Sequence, residues 1–103
     1  MPSNDNTAPT RLFDVVYYTA PWCNPCQVYW PAAEETVNAM IEEGMPLRLT
    51  KLDVTNPDHN GHTTQITSVP TIEVREGGRL LGAAVGAGRP PEVLRHFIEN
   101  LIN

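Results

Sequence analysis

Cysteine, positive charge and long apolar runs are all scarce in this 103-residue chain. Two cysteines cannot form the disulfide framework of a small secreted scaffold. Seven lysine and arginine residues against twelve acidic ones leave a net charge of −5, which argues against nucleic acid or an anionic membrane as partner. No segment is apolar for long enough to span a bilayer, and the N-terminal residues lack the features of a secretory signal. We therefore expect a cytoplasmic protein.

The apolar residues that are present suffice for one core. A hydrophobic content of 41% in 103 residues can support a single domain without a structural metal. Polar residues and prolines dominate the start of the chain. We therefore predict a flexible N-terminal tail over residues 1–11, one domain over residues 12–103, and a monomer.

The hydrophobic pattern predicts the order β-α-β-α-β-β-α. A β-branched and aromatic run from Phe13 to Tyr18 predicts a buried strand. Apolar residues at helical spacing between Asn24 and Glu43 predict a helix that Pro31 kinks and Gly44 stops. The other predicted elements are a strand over Leu47–Val54, a short helix in the ambiguous polar segment Pro57–Gln65, strands over Thr71–Glu76 and Arg79–Val85, and a helix after Pro90-Pro91.

The connections between these elements predict the sheet. Gly77-Gly78 lies between two strands and favours an antiparallel hairpin at an edge. The first two strands are joined by a helix, which favours a right-handed parallel crossover. We therefore predict an α/β fold with a four-stranded mixed sheet, the parallel pair central, and helices on both faces.

The two cysteines lie where the first strand ends and the first helix begins, in Cys23-Asn24-Pro25-Cys26. Within a helix, Cβ atoms three residues apart are about 5–6 Å from each other. A disulfide needs about 3.5–4.5 Å, which the first turn can reach and the helix interior cannot. Unsatisfied N–H groups and the helix dipole at this end favour a thiolate on Cys23. The pattern predicts Cys23 as nucleophile and Cys26 as resolving thiol.

This motif resembles the active site of the thioredoxin family, with Asn24 where the commonest form carries Gly. Val69-Pro70-Thr71 resembles the cis-proline segment of that family. Further similarities are Pro31 with the proline of the active-site helix, Lys51-Leu52-Asp53 with a characteristic strand, and Gly86-Ala87 with a loop beside the site. The resemblance covers the chain from Phe13 to Asn103 and implies a thioredoxin-like fold, trimmed at the N-terminus and closer in outline to glutaredoxins.

The resemblance implies a protein disulfide oxidoreductase without a bound cofactor or metal. Its redox centre would be a Cys23–Cys26 disulfide, which a flavoprotein such as thioredoxin reductase reduces in trans. Substrates would be proteins that contain disulfides. Substrate contacts are expected at Trp22, Val69, Pro70, Gly86 and Ala87, with Pro70 preceded by a cis peptide bond and the Val69 backbone facing the dithiol.

One departure from the family pattern bears on proton transfer. The family usually has a buried aspartate six residues before the nucleophile, and Tyr17 stands there instead. A proton could pass through the Tyr17 hydroxyl or through water, and Lys51 could tune the local field. Asn24 and Pro25 are expected to tune the redox potential, together with Tyr17 and Lys51.

Two other functions stay open on the sequence alone. One is a glutaredoxin-like enzyme that uses glutathione, which the short N-terminus and Tyr17-Tyr18-Thr19 make conceivable. Against it, Gly86-Ala87-Gly88-Arg89 stands where glutaredoxins usually have paired glycines followed by acidic residues. The other is a binding subunit without catalytic turnover.

Overall fold

The computed structural model describes residues 11–59 and 66–103. Within them, the chain runs through four strands and two α-helices, close to the predicted order. The elements are β1 (Phe13–Thr19), α1 (Asn24–Glu42), β2 (Leu47–Asp53), a 3₁₀ turn (Pro57–His59), β3 (Thr71–Glu76), β4 (Arg79–Val85) and α2 (Pro91–Ile102). Of the segment Pro57–Gln65, where a short helix was predicted, the structure describes this 3₁₀ turn, and residues 60–65 lie outside the described part.

The four strands form one mixed sheet in the order β2-β1-β3-β4, which confirms the prediction of a four-stranded mixed sheet. β1 pairs with β2 in parallel, and β3 is antiparallel to both β1 and β4. The predicted central position of the parallel pair is wrong for β2, which lies at one edge of this sheet. β1 is interior because β3 pairs with its second side, and it is therefore almost entirely buried, whereas β2 exposes the charged residues Arg48 and Lys51, as edge strands often do.

The main core lies between one face of the sheet and both α-helices. Alternate residues of β1 point towards it, because successive side chains of a strand face opposite sides. α1 and α2 contribute apolar residues at helical spacing to the same cluster. The buried members are Phe13, Val15, Tyr17, Tyr29, Ala33, Val37, Met40, Leu47, Ile72, Val74, Leu94 and Ile98. Helices were predicted on both faces, and most of Pro57–Gln65, where the remaining helix was predicted, is outside the described residues.

The predicted hairpin between β3 and β4 is confirmed, with Gly77 and Gly78 at its tip. Their φ values are 57° and 84°, a region that glycine occupies without steric cost. Arg75 donates from Nη1 to the carbonyl of Gly78 over 2.8 Å. The start of β3 and the end of β4 therefore lie beside the end of β1, which the cysteines follow in the chain.

α1 begins directly after Cys23 and runs without a break to Glu42, with Pro31 in its interior. Gly44, with φ of 97°, follows the helix end as predicted. Of the predicted tail over residues 1–11, the structure describes Arg11, whose guanidinium pairs with Glu76 at 2.7 Å. Among the described helices, none is long and apolar enough to cross a membrane.

Candidate active site

The cysteine pair lies where β1 passes into α1 through a tight turn. The Cys23 N–H donates to the carbonyl of Ala20 over 3.0 Å, which closes that turn. Cys23 is the N-cap of α1 and has extended backbone angles, with Pro25 in the first helical turn. Cys23 and Cys26 form a disulfide with their Cα atoms 5.3 Å apart. The predicted pairing at the start of the helix is thus confirmed.

The two sulfurs have different surroundings. Cys26 is fully buried, and Cys23 is 4% exposed. The Cys26 N–H donates to Cys23 Sγ over 3.2 Å, so a backbone donor at the helix start already points at this sulfur. Trp22, immediately before it, is 72% exposed, and Asn24 and Pro25 are exposed as well. The first sulfur therefore adjoins an open surface, and the second lies beneath it.

A second segment faces the disulfide from the start of β3. The peptide bond between Val69 and Pro70 is cis, as the resemblance implied. The carbonyl oxygen of Val69 lies 3.8 Å from Cys23 Sγ, so the Val69 backbone does face the cysteines. Thr71 donates from Oγ1 to the carbonyl of Ser68 over 2.7 Å, which holds the segment's shape. Gly86 donates its N–H to the Pro70 carbonyl over 2.8 Å, which joins the Gly86-Ala87 loop to this segment.

Tyr17 lies behind the cysteines and does not reach a sulfur with its hydrogen bond. Its hydroxyl donates to the carbonyl of Cys26 over 2.9 Å, and the residue is 1% exposed. Burial, with a smaller contribution from Tyr29, raises the pKa of Tyr17 to about 12. The hydroxyl is therefore neutral throughout the physiological pH range.

Lys51 is Tyr17's direct neighbour on β2, in register across the parallel pair. Its Nζ lies 4.6 Å from the ring centroid of Trp30, in a cation–π contact. The Trp30 ring in turn lies 5.0 Å from the ring of Tyr17. The Trp30 ring therefore lies in contact with both Lys51 and Tyr17.

A cavity of about 280 Å³ opens beside the end of β1. It is large enough for several water molecules. The Thr19 hydroxyl oxygen is buried and has no hydrogen-bond partner among the described residues. The lining residues are Thr19, Ala20, Pro21, Gln27, Lys51 and Asp53. The cavity was not predicted from the sequence, although Thr19 places a hydroxyl at the end of a buried strand, where such a group needs a hydrogen-bond partner.

Comparison with known proteins supports one family. The family model for thioredoxin matches residues 7–100. A thioredoxin of Bacillus subtilis (strain 168) is 31% identical over 81 residues, which are 79% of this chain and 74% of that protein. The chain belongs to the thioredoxin family.

The structural comparison agrees with this family. The oxidized form of mitochondrial thioredoxin 3 from Saccharomyces cerevisiae superposes with a TM-score of 0.68 at 26% identity, over 85% of this chain and 77% of that one. This confirms the thioredoxin-like fold. A "bifunctional thioredoxin reductase/thioredoxin" of Mycobacterium leprae (strain TN) is 35% identical over 86% of this chain, which spans 19% of that longer protein.

A thioredoxin with an intact Cys23–Cys26 pair is a thiol–disulfide oxidoreductase, so the predicted enzyme class is confirmed. The structure also shows side-chain contacts beside the Gly86-Ala87 loop that sequence reasoning missed. Arg89 donates to the carbonyls of Gly86 and Val85. It follows the Gly86-Ala87 loop directly in sequence, but its side-chain contacts cannot be read from that position.

Proposed function

We propose that this thioredoxin reduces disulfides in other proteins, with Cys23 as nucleophile and Cys26 as resolving thiol. The observation that carries the proposal is the position of Cys23 Sγ at the start of α1. It accepts the Cys26 N–H and adjoins the exposed Trp22. A backbone donor and the positive end of the helix dipole both favour negative charge on this sulfur once the disulfide is reduced.

The reaction starts from the reduced dithiol. The Cys23 thiolate attacks one sulfur of the substrate disulfide, and the other substrate sulfur leaves as a thiolate that takes up a proton. The Cys26 thiol then loses its proton and attacks Cys23 Sγ in the mixed disulfide. The substrate leaves with both cysteines reduced, and the Cys23–Cys26 disulfide now carries the oxidation. Two electrons from a reductase restore the dithiol.

Water in the cavity lined by Thr19 is our proposal for the proton path from Cys26. The raised pKa of Tyr17 opposes a role of its hydroxyl as base, since it holds its own proton and donates it to a carbonyl. Lys51 and Asp53 both line this cavity, where the positive charge of Lys51 would favour a negative charge and the carboxylate of Asp53 would oppose it. Asn24, Pro25, Tyr17 and Lys51 remain the proposed residues that tune the redox potential.

The proposed substrate surface consists of Trp22, Val69, Pro70, Gly86 and Ala87. An extended peptide would lie against the Val69 backbone, as an added strand does. Beside it is a groove of about 120 Å³ that could take one apolar side chain of the substrate. It is lined by Trp22, Val54, Ile66, Thr67, Ser68 and Val69.

A flavoprotein reductase is the proposed electron donor, and no bound cofactor is needed. The name of the Mycobacterium leprae relative joins a thioredoxin reductase to a thioredoxin in one chain, which supports this pairing. We further propose that the protein is a monomer with one domain over residues 12–103. A cytoplasmic location fits its small number of cysteines, because a reducing compartment suits a recycled dithiol.

The test of the proposal is insulin reduction with dithiothreitol as electron source. We expect wild type to accelerate the reaction above the rate with dithiothreitol alone, and Cys23→Ser to remove that acceleration because the nucleophile is lost. Cys26→Ser, reduced beforehand and freed of dithiothreitol, should instead accumulate a mixed disulfide between Cys23 and insulin, visible on a non-reducing gel. A trapped adduct with Cys23→Ser and none with Cys26→Ser would reverse the two roles.

The electron donor is tested separately, with a bacterial thioredoxin reductase plus NADPH against glutathione plus glutathione reductase. Turnover with the first system alone is the expected result. Turnover with the glutathione system but not with thioredoxin reductase would favour the glutaredoxin-like function. No turnover of insulin by folded, reduced wild type with any donor would favour a binding subunit.

A further inference from the structure

The turn between β4 and α2 is held by the side chain of Arg89. Its Nη1 donates to the Gly86 carbonyl over 2.8 Å, and its Nη2 donates to the Val85 carbonyl over 2.7 Å. A guanidinium presents these donors in a planar fork, so one side chain fixes two successive peptide groups. These two hydrogen bonds therefore restrain the backbone conformation at Val85 and Gly86.

Besides the Arg89 hydrogen bonds, a backbone hydrogen bond from the Gly86 N–H to the Pro70 carbonyl holds this turn. Gly86 and Gly88 have φ values of 100° and 89°, and a Cβ built on either would meet nothing within 4 Å. Ala87 between them is exposed. Glycines with open space around them have large conformational freedom, so few side-chain contacts restrain the loop. The Arg89 hydrogen bonds therefore carry much of the restraint.

The turn between β4 and α2 is linked to Cys23 through the cis-proline segment. The Gly86 N–H donates to the Pro70 carbonyl over 2.8 Å, and the neighbouring Val69 carbonyl lies 3.8 Å from Cys23 Sγ. Arg89 also acts on α1, because its positive charge partly offsets the rise that burial causes in the pKa of Tyr29. Arg89 is thus linked through Gly86 to the cis-proline segment.

We propose that Arg89 is a positioning residue for protein substrates, which holds the Gly86-Ala87 loop in the conformation that receives a peptide beside Cys23. The inference rests on the proposed function and adds a specificity determinant to it. A preordered loop lowers the conformational entropy that a bound peptide must otherwise remove. A small disulfide that contacts only the sulfur gains nothing from this order.

The test is single-turnover oxidation of the reduced protein by insulin, with free thiols alkylated after acid quenching. Arg89→Gln should raise the insulin concentration that gives the half-maximal rate about tenfold, which is about 1.4 kcal/mol at 25 °C. We expect the maximal rate, the rate with hydroxyethyl disulfide and the equilibrium constant for oxidation of the cysteine pair by glutathione to change less than about twofold. Arg79→Gln, on the far end of β4, removes the same charge and should behave as wild type.

The variant Arg89→Lys distinguishes the effect of the paired guanidinium donors from the effect of the positive charge. An ammonium keeps the charge and loses the paired donors, so this variant should resemble Arg89→Gln. Wild-type behaviour of Arg89→Lys, equal effects of Arg89→Gln and Arg79→Gln, or a parallel loss with hydroxyethyl disulfide would each overturn the inference. If wild type itself does not reduce insulin, the proposed function fails, which is a different result from any of these.

Discussion

Tyr17 shows how one residue changes the chemistry behind the cysteines. The resemblance to the family expects a buried carboxylate there, which could take a proton from the resolving thiol. The tyrosine hydroxyl has a pKa of about 12 and donates to the Cys26 carbonyl. A group that holds its proton so tightly cannot act as a base near neutral pH. Its contact instead orients the first turn of α1.

For Tyr17→Phe, we therefore expect a loss of about 1 kcal/mol in the free energy of unfolding, because one buried hydrogen bond disappears. The pH profile of insulin reduction between about pH 6 and 9 should keep its shape, since no titrating base is removed. Urea unfolding and rates across that range measure the two effects. Loss of an ionisation from the rate profile would show that the hydroxyl transfers protons after all.

Burial of Tyr17 also predicts how stability changes in alkali. An unfolded tyrosine titrates near its ordinary pKa of 10, whereas the folded residue titrates at about 12. Between those pH values the unfolded state binds fewer protons, so the free energy of unfolding falls as pH rises. The fall should be shallower in Tyr17→Phe, in urea titrations at several pH values. An identical dependence of the unfolding free energy on pH in both proteins would contradict the raised pKa of Tyr17.

At the scale of elements, the sheet has two charged pairs with different surroundings. Glu73 on β3 is 4% exposed and accepts from the Tyr18 hydroxyl at 2.7 Å and from Arg75 Nε at 2.8 Å. Asp14 on β1 pairs with Arg48 on β2 at 2.7 Å, and the Arg48 side chain is 62% exposed. The first pair lies within β3, where the Tyr18 hydroxyl also ties Glu73 to β1, and the second lies in solvent at the β2 edge.

This contrast predicts unequal effects of the same chemical change. Glu73→Gln should lower the free energy of unfolding by at least about 2 kcal/mol, because Arg75 keeps a largely buried charge without its partner. Asp14→Asn should cost less than about 1 kcal/mol, as exposed ion pairs usually do. Urea unfolding at neutral pH compares the two variants. Equal losses would mean that the Glu73 cluster is no stronger than a surface pair.

For the whole molecule, the net charge of −5 predicts a preference among substrates. Opposite charge accelerates encounter, and salt shortens the Debye length from about 30 Å at 0.01 M to about 8 Å at 0.15 M. Reduction of a basic protein disulfide should slow severalfold over that range under second-order conditions. An acidic substrate of similar size is the control and should speed up or stay constant. The opposite order would mean that a local charge near the cysteines outweighs the net charge.

The local parts of this structure were readable from the residues. The Cys23–Cys26 pair depends on a spacing of three residues at a strand-to-helix boundary, and the hairpin depends on Gly77-Gly78 between two strands. Both are interactions between near neighbours in the chain, so the sequence alone determined them. The strand boundaries followed for the same reason, since alternation and turn residues are local signals.

Only the tertiary structure decided how distant segments meet. The position of β2 at an edge follows from β3 pairing with the free side of β1, which no local pattern specifies. The Tyr17 bond to the Cys26 carbonyl, the cavity beside Thr19 and the Arg89 fork likewise depend on side-chain directions set by packing. Composition and spacing determine which groups are available. The directions in which they point are set by a packing balance over the whole core.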